Sequence, residues 1–286
     1  MEINLIKTQR RRITTLFEMF CLLFILDAKN LRVDTARSAR SKHQHLRIHN
    51  GYNVPPGEYS FVVILSIINY YQVFRLCTGS MITEYWGLTA AHCKEQTVQL
   101  QAWHGNFTES PLETKMYSQV QQMITHPSYR LLTTEKGTED LLVNNDICLF
   151  RVFTKINIKT YGRLSSIDPA TMIGLPVTYI GGGITGMTII IYDIFRPLQM
   201  GEGAIITCSP QMRSISKYII CIAPQCSTRL QRPWFGDSGG PLICDGKIIG
   251  ICSYGIKSDE IATSGYAPIS PYIEWIYDVM HSKNKE

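Results

Sequence analysis

From Ile48 onward the chain is built of short apolar or alternating runs separated by turn residues, and this most restricts what it can fold into. The runs are Phe61–Ile68, Ser80–Leu88, Val98–Trp103, Asp146–Val152, Val177–Ile180, Tyr218–Ile222 and Lys247–Ser253. Such spacing fits an all-β domain and does not fit strands alternating with helices. The C-terminal end differs. Ser270 and Pro271 suit a helix N-cap and first helical position, and Tyr272, Ile273, Ile276, Tyr277, Val279 and Met280 would share one apolar face. A terminal helix packed on a β domain is expected. The 286 residues are 45% hydrophobic and 18% charged, enough to bury a substantial core.

The first 47 residues have another character. Basic residues run from Lys7 to Arg12, an apolar run follows from Met19 to Leu26, and Ala28 is a small residue suited to a cleavage site. Residues 1–28 therefore read as a signal peptide, too short in its apolar part to span a bilayer. Residues 29–47 are polar and basic and read as a pro-segment. Much of the net charge of +5 lies in these two stretches, and the remainder is nearly balanced. No basic stripe of the kind that nucleic-acid binding needs is present, and no stable membrane association is expected. Of nine cysteines, Cys21 falls in the signal peptide. An exported chain would use some of the remaining eight in disulfides. Asn106-Phe107-Thr108 is the one glycosylation sequon.

The segment RPWFGDSGGPLICDG, residues 232–246, places Ser238 in a glycine-rich turn. Alone, it is also compatible with a loop between strands. A serine hydroxyl becomes a nucleophile only beside a base that takes its proton, itself oriented by a third group. Histidine suits the base, because its proton affinity lies near working pH. Among seven histidines, His92 has unusual surroundings, in WGLTAAHCKE. Asp146 opens the apolar run NDICLFRV, where a carboxylate needs a hydrogen-bonding partner. His104 and His126 read as surface or structural histidines.

Four segments, RIHNG, LTAAHC, NDICLF and GDSGGPLIC, together resemble the trypsin-like serine peptidases across residues 48–286. The intervals of 54 residues from His92 to Asp146 and 92 from Asp146 to Ser238 suit that family. The resemblance implies two packed six-stranded antiparallel β-barrels with a C-terminal α-helix. It implies a catalytic triad of Ser238 as nucleophile, His92 as base and Asp146 as its orienter, with the N–H groups of Gly236 and Ser238 as oxyanion hole. Ser253 would help hold Asp146. The G-x-S-x-G elbow of α/β-hydrolases also fits Gly236 to Gly240, but that fold puts its acid and histidine after the serine.

The resemblance further implies a zymogen. Cleavage after Arg47 by a trypsin-like protease would free the amino group of Ile48, which would pair with Asp237. His49 and Asn50 stand where small residues are usual. Disulfides Cys77–Cys93 and Cys208–Cys221 are implied, while Cys148, Cys226, Cys244 and Cys252 stay unassigned. Trp234 stands where one family cysteine usually lies, and Val177 where the partner of Cys244 would be. Gly181–Gly183 replaces Gly-Trp-Gly, and Tyr254 a tryptophan. Arg232 would stand at the base of the specificity pocket, with Ser253, Tyr254, Gly255 and Ser264 around it, so selection of Lys or Arg is not expected. The implied function is a secreted, extracellular serine endopeptidase acting on proteins or peptides, open to protein inhibitors, with no metal or organic cofactor. A non-catalytic homologue acting as a binding or regulatory protein is the alternative.

Overall fold

A computed structural model describes residues 48, 51–68, 72–95, 99–133, 141–183, 194–225, 231–255 and 264–282. The signal-peptide and pro-segment readings, including Arg47, and Cys226 lie outside the described residues.

Six strands close the first barrel. They are β2 (Val62–Ile68), β3 (Val73–Met81), β4 (Trp86–Thr89), β5 (Gln101–Trp103), β6 (Tyr117–Thr125) and β9 (Cys148–Val152), in the order β2-β3-β4-β9-β6-β5. The second is formed by β10 (Pro176–Gly181), β11 (Gln199–Ile206), β12 (Ile220–Pro224), β13 (Pro241–Cys244), β14 (Lys247–Gly255) and β15 (Ser264–Pro268). Its order is β11-β10-β13-β14-β15-β12, closed by pairing of β11 with β12, and β1 (Tyr52–Asn53) adds to β11. A ribbon of β7 (Arg130–Thr133) and β8 (Leu141–Asn144) stands apart. All these pairings are antiparallel. Closure removes the free edges that an open sheet would expose.

The sequence patterns follow from what each strand touches. The β2 run VVILSII is almost continuously apolar because both of its faces are covered. Val63 and Leu65 fill the first barrel, while Val62 and Ile64 join Ile180, Leu198 and Ile243 of the second. A second seam cluster brings Leu88 and Leu149 against Ile248, Ile251 and Tyr272. The barrels are thus joined by shared cores. The expected Ser80–Leu88 strand divides into the end of β3, a turn, and β4.

The terminal helix is present as α4 (Ile273–His281), preceded by a 3₁₀ turn, Ser270–Tyr272. The capping expectation needs correction: the helix begins at the residue after Tyr272, with no side-chain cap bond. Tyr277 also departs from the expected apolar face. It is exposed and stacks on His281, while Trp275 turns inward beside His126. Three short α-helices, α1 (His92–Glu95), α2 (Pro111–Thr114) and α3 (Pro210–Ile215), and a 3₁₀ turn at Pro169–Met172 complete the described elements. Among the described residues no helix is long and apolar enough to cross a membrane.

Candidate active site

The site lies where loops of the two barrels meet. β4 ends at Thr89 and delivers His92 as the first residue of α1. Asp146 sits between β8 and β9, after Asn145 in the left-handed region (φ 52°), and is 2% exposed. Its Oδ1 accepts the His92 backbone N–H at 3.0 Å, and its Oδ2 faces His92 Nδ1 at 2.8 Å. Ser253 Oγ of β14 donates to the same Oδ2 at 2.5 Å. Burial alone would push the Asp146 carboxyl up. The charge of His92 and these hydrogen bonds outweigh burial and hold it below the ordinary carboxylate value. An ionised carboxylate only accepts, so Nδ1 carries a proton, and in the neutral imidazole Nε2 then presents a lone pair.

Ser238 is tied to β3 by its backbone. Its carbonyl accepts the Thr78 N–H at 2.8 Å. Thr78 follows Cys77, whose disulfide to Cys93 anchors the residue next to His92. From the second barrel, Gly239 N–H donates to Cys252 O and Cys252 N–H to Gly240 O, beside Ser253. The turn is therefore tied to both barrels. Gly236 adopts φ +87°, which an L side chain would resist. Its carbonyl accepts from Thr78 Oγ1 at 2.8 Å, and Thr78 Oγ1 in turn accepts the Gly182 N–H at 2.9 Å. Among the described residues, nothing accepts from the N–H groups of Gly236 and Ser238. With both carbonyls held by Thr78, these two donors are left for a ligand oxygen.

Behind the turn, Asp237 is 3% exposed. Its Oδ1 accepts the Gly183 N–H at 2.8 Å and its Oδ2 the Trp234 N–H at 2.7 Å. Burial pushes its carboxyl up to about 6, against the hydrogen bonds and the charges of Arg196 and Arg75. A Cβ on Gly181 would stand 2.0 Å from Asp237 Oδ1, and one on Gly183 2.6 Å from it. Gly181 and Gly183 thus make room for the carboxylate. Ile48 is 2% exposed and packs with Tyr179 and Cys252, both of which feel the Asp237 charge.

The remaining expected residues are dispersed more widely. Gly255 of β14 pairs with buried Ser264 of β15, and Tyr254 precedes Gly255. Arg232 lays its guanidinium over the Trp234 ring at 5.0 Å. Cys208 and Cys221 form the second disulfide, while Cys148, Cys244 and Cys252 are buried free thiols. Asn106 lies in a turn, its Nδ2 donating to Glu109 and its Oδ1 accepting from the Thr108 hydroxyl. His126 packs between Tyr272 and Trp275, and burial lowers the proton affinity of both His104 and His126. Among the described residues, Cys77, His92 and Cys93 alone gather at metal-ligand distance, but both sulfurs are in the disulfide and offer no thiolate.

Residues 48–276 match the family model described as Trypsin. The chain belongs to the trypsin family. Trypsin-like serine proteases are similar to it along most of its length. Duodenase-1 of Bos taurus is 26% identical over 217 residues, covering 74% of this chain and 81% of the relative. Granzyme B of Rattus norvegicus is 26% identical over 247 residues, covering 82% and 91%. The solved structure of mouse-brain neuropsin, a serine protease, superposes with a TM-score of 0.59 at 26% identity, covering 80% of this chain and 98% of that one. The two-barrel trypsin fold with its terminal helix is thereby shared.

Sequence reasoning missed three site residues: Thr78, Arg75 and Arg196. Arg75 and Arg196 did leave a signal, as charges inside the apolar stretches VFRLC and IFRPL. Thr78 left none, since a hydroxyl beside a cysteine is unremarkable in sequence.

Proposed function

We propose that the chain is a secreted serine endopeptidase, made as a precursor and switched by cleavage after Arg47, that hydrolyses peptide bonds through an acyl-enzyme. The single observation that carries this reading is the pair of unpartnered N–H groups at Gly236 and Ser238, on a turn tied to the His92–Asp146 pair. Ser238 Oγ attacks the carbonyl carbon as His92 Nε2 takes the hydroxyl proton. The Gly236 and Ser238 N–H groups receive the oxyanion, each such donor typically contributing about 3–4 kcal/mol. Asp146 holds the imidazolium in place. Collapse expels the amine, which leaves with the proton from His92. Water then attacks the acyl group with His92 again as base, restoring the Ser238 hydroxyl and releasing the acid.

Family membership supports protein substrates. Arg232 stacked on Trp234 offers no carboxylate to a basic side chain, so cleavage after Lys or Arg is not expected. The two disulfides support an oxidising compartment. The activator is a protease that cuts after arginine.

The test is active-site labelling of the full chain, expressed as exported precursor and cut after Arg47 so that Ile48 is the new N-terminus. A fluorophosphonate should label the cut wild type at Ser238, and Ser238→Ala should abolish it. A folded, cut wild type that takes up no label would overturn the peptidase reading and favour a binding or regulatory role. Peptide-library cleavage follows labelling and should show no enrichment of Lys or Arg before the cut.

A further inference from the structure

Asp146 is the centre of a three-residue turn, across which the Asn145 carbonyl accepts the Ile147 N–H at 2.8 Å. Asn145 lies in the left-handed region, which asparagine tolerates better than most residues but which still costs energy. Such a turn keeps its shape only where its surroundings hold it. Ser253 and the His92 N–H grip the carboxylate, yet neither fixes the backbone that carries it.

The Asn145 side chain supplies that hold. Its Nδ2 donates to Ser128 O at 2.8 Å, and its Oδ1 faces the Tyr272 hydroxyl at 3.0 Å. A backbone carbonyl can only accept, so the amide nitrogen must turn to Ser128 and the amide oxygen to Tyr272. Tyr272 is therefore the donor. It is 3% exposed, and burial, with the Tyr218 and Asp146 charges adding, pushes its phenol up, so the hydroxyl keeps its proton. The far side of the turn is tied to the same place. His126 N–H donates to Ile147 O at 3.0 Å, and His126 Nδ1 accepts the Ser128 N–H at 3.2 Å. The His126 ring lies against Tyr272 and Trp275, both centroids at 5.1 Å. Both neighbours of Asp146 are thus bound to one cluster, seated at the start of α4. One residue earlier, Asn144 Oδ1 accepts the Lys217 N–H of the second barrel at 3.0 Å.

We propose that Tyr272 and Asn145 are positioning residues for the reaction: the Tyr272 hydroxyl, acting through the Asn145 amide, sets the turn that aims Asp146 at His92. The terminal helix then does more than cover a barrel, because the residue before it steers the carboxylate that orients the base. This rests on the peptidase reading above.

The test uses the full chain cut after Arg47, as wild type, Tyr272→Phe, Asn145→Gly and the double variant, at a temperature where urea titration shows each to be folded. Glycine keeps the left-handed backbone and loses both side-chain bonds. A fluorophosphonate reports the pair directly: as the Ser238 Oγ–P bond forms and fluoride leaves phosphorus, His92 must take the hydroxyl proton. Each single variant is expected to label about tenfold more slowly than the wild type. The double variant should be no slower than Asn145→Gly, because the hydroxyl acts through the amide. The proton on His92 Nδ1 should also shift its low-field NMR resonance in both single variants. Unslowed labelling of the folded single variants would mean a merely structural role and overturn the assignment. So would losses that multiply in the double variant, or slowed labelling with an unmoved resonance. If Asn145→Gly fails to fold, Tyr272→Phe, which removes a single oxygen, decides by the rate and the resonance. A folded, cut wild type that takes no label overturns the peptidase reading, and this inference falls with it.

Discussion

Asp237 is an acid whose folded proton affinity lies above its ordinary value, rising from 3.8 to about 6. Between those values the folded chain holds more proton than the unfolded chain. Its burial therefore costs stability above pH 6, and the cost is relieved as pH falls through the folded value. The full cost is about 3 kcal/mol, because one unit is worth about 1.4 kcal/mol. Comparing the uncut wild type with uncut Asp237→Asn removes the other titrations. From pH 7.5 to pH 5 the wild type should gain about 1 kcal/mol on the variant by urea denaturation. A constant difference would show that the carboxylate is better compensated than its burial implies. Thr78 is the other residue whose loss should be felt. Thr78→Val keeps the shape but leaves Gly182 N–H and Gly236 O without the hydroxyl that joins them. Stability should fall by about 1–3 kcal/mol, and Ser238 labelling should slow beyond what unfolding explains. Unchanged labelling in the folded variant would remove Thr78 from the site.

Among the elements, β4 and β9 meet where Gly87 pairs with Phe150. A Cβ on Gly87 would stand 2.2 Å from Phe150 Cζ, and one on Gly79 of β3 2.9 Å from its Cε1. The ring is accommodated by two bare backbones. Gly87→Ala should therefore cost about 1–3 kcal/mol by overpacking, and Phe150→Leu should recover part of that loss in the double variant. Full additivity of the two losses, seen in urea midpoints, would rule out the contact. The same strands illustrate what sequence made legible. β9 and β14 are apolar runs and could be read directly. β6 could not, because YSQVQQMIT is mostly half-buried and its polar residues leave little apolar contrast. β11 was hidden by its glycines, which look like a turn. Gly201 lies under the Tyr179 ring and Gly203 against Ala223 O, so each is a strand residue made small by its neighbours.

At the scale of the whole molecule, the candidate site was more legible than the fold around it. Proton transfer and nucleophilic attack need particular residue types, so His92, Asp146 and Ser238 stood out in their segments. Arg75, Arg196 and Thr78 act on backbone groups from other parts of the chain, and only the folded topology brings them there. Tyr277 was misread for the opposite reason: its helical position suited burial, but the cluster shared by the two barrels takes Trp275 and Ile276 instead.

Two of the buried thiols carry a consequence for how such a molecule can be watched. Cys148 belongs to the first barrel and Cys252 to the second. Burial pushes the Cys148 thiol up to about 12 and the Cys252 thiol well above its ordinary value. Alkylating reagents attack the thiolate, so each sulfur is shielded twice, by access and by its proton. Their alkylation is thereby a clock for opening, with one hand in each half of the molecule. Because the seam clusters draw on both barrels, the two hands should keep the same time: peptide masses after iodoacetamide treatment should show Cys148 and Cys252 modified at matching rates. A faster hand would name the half that lets go first.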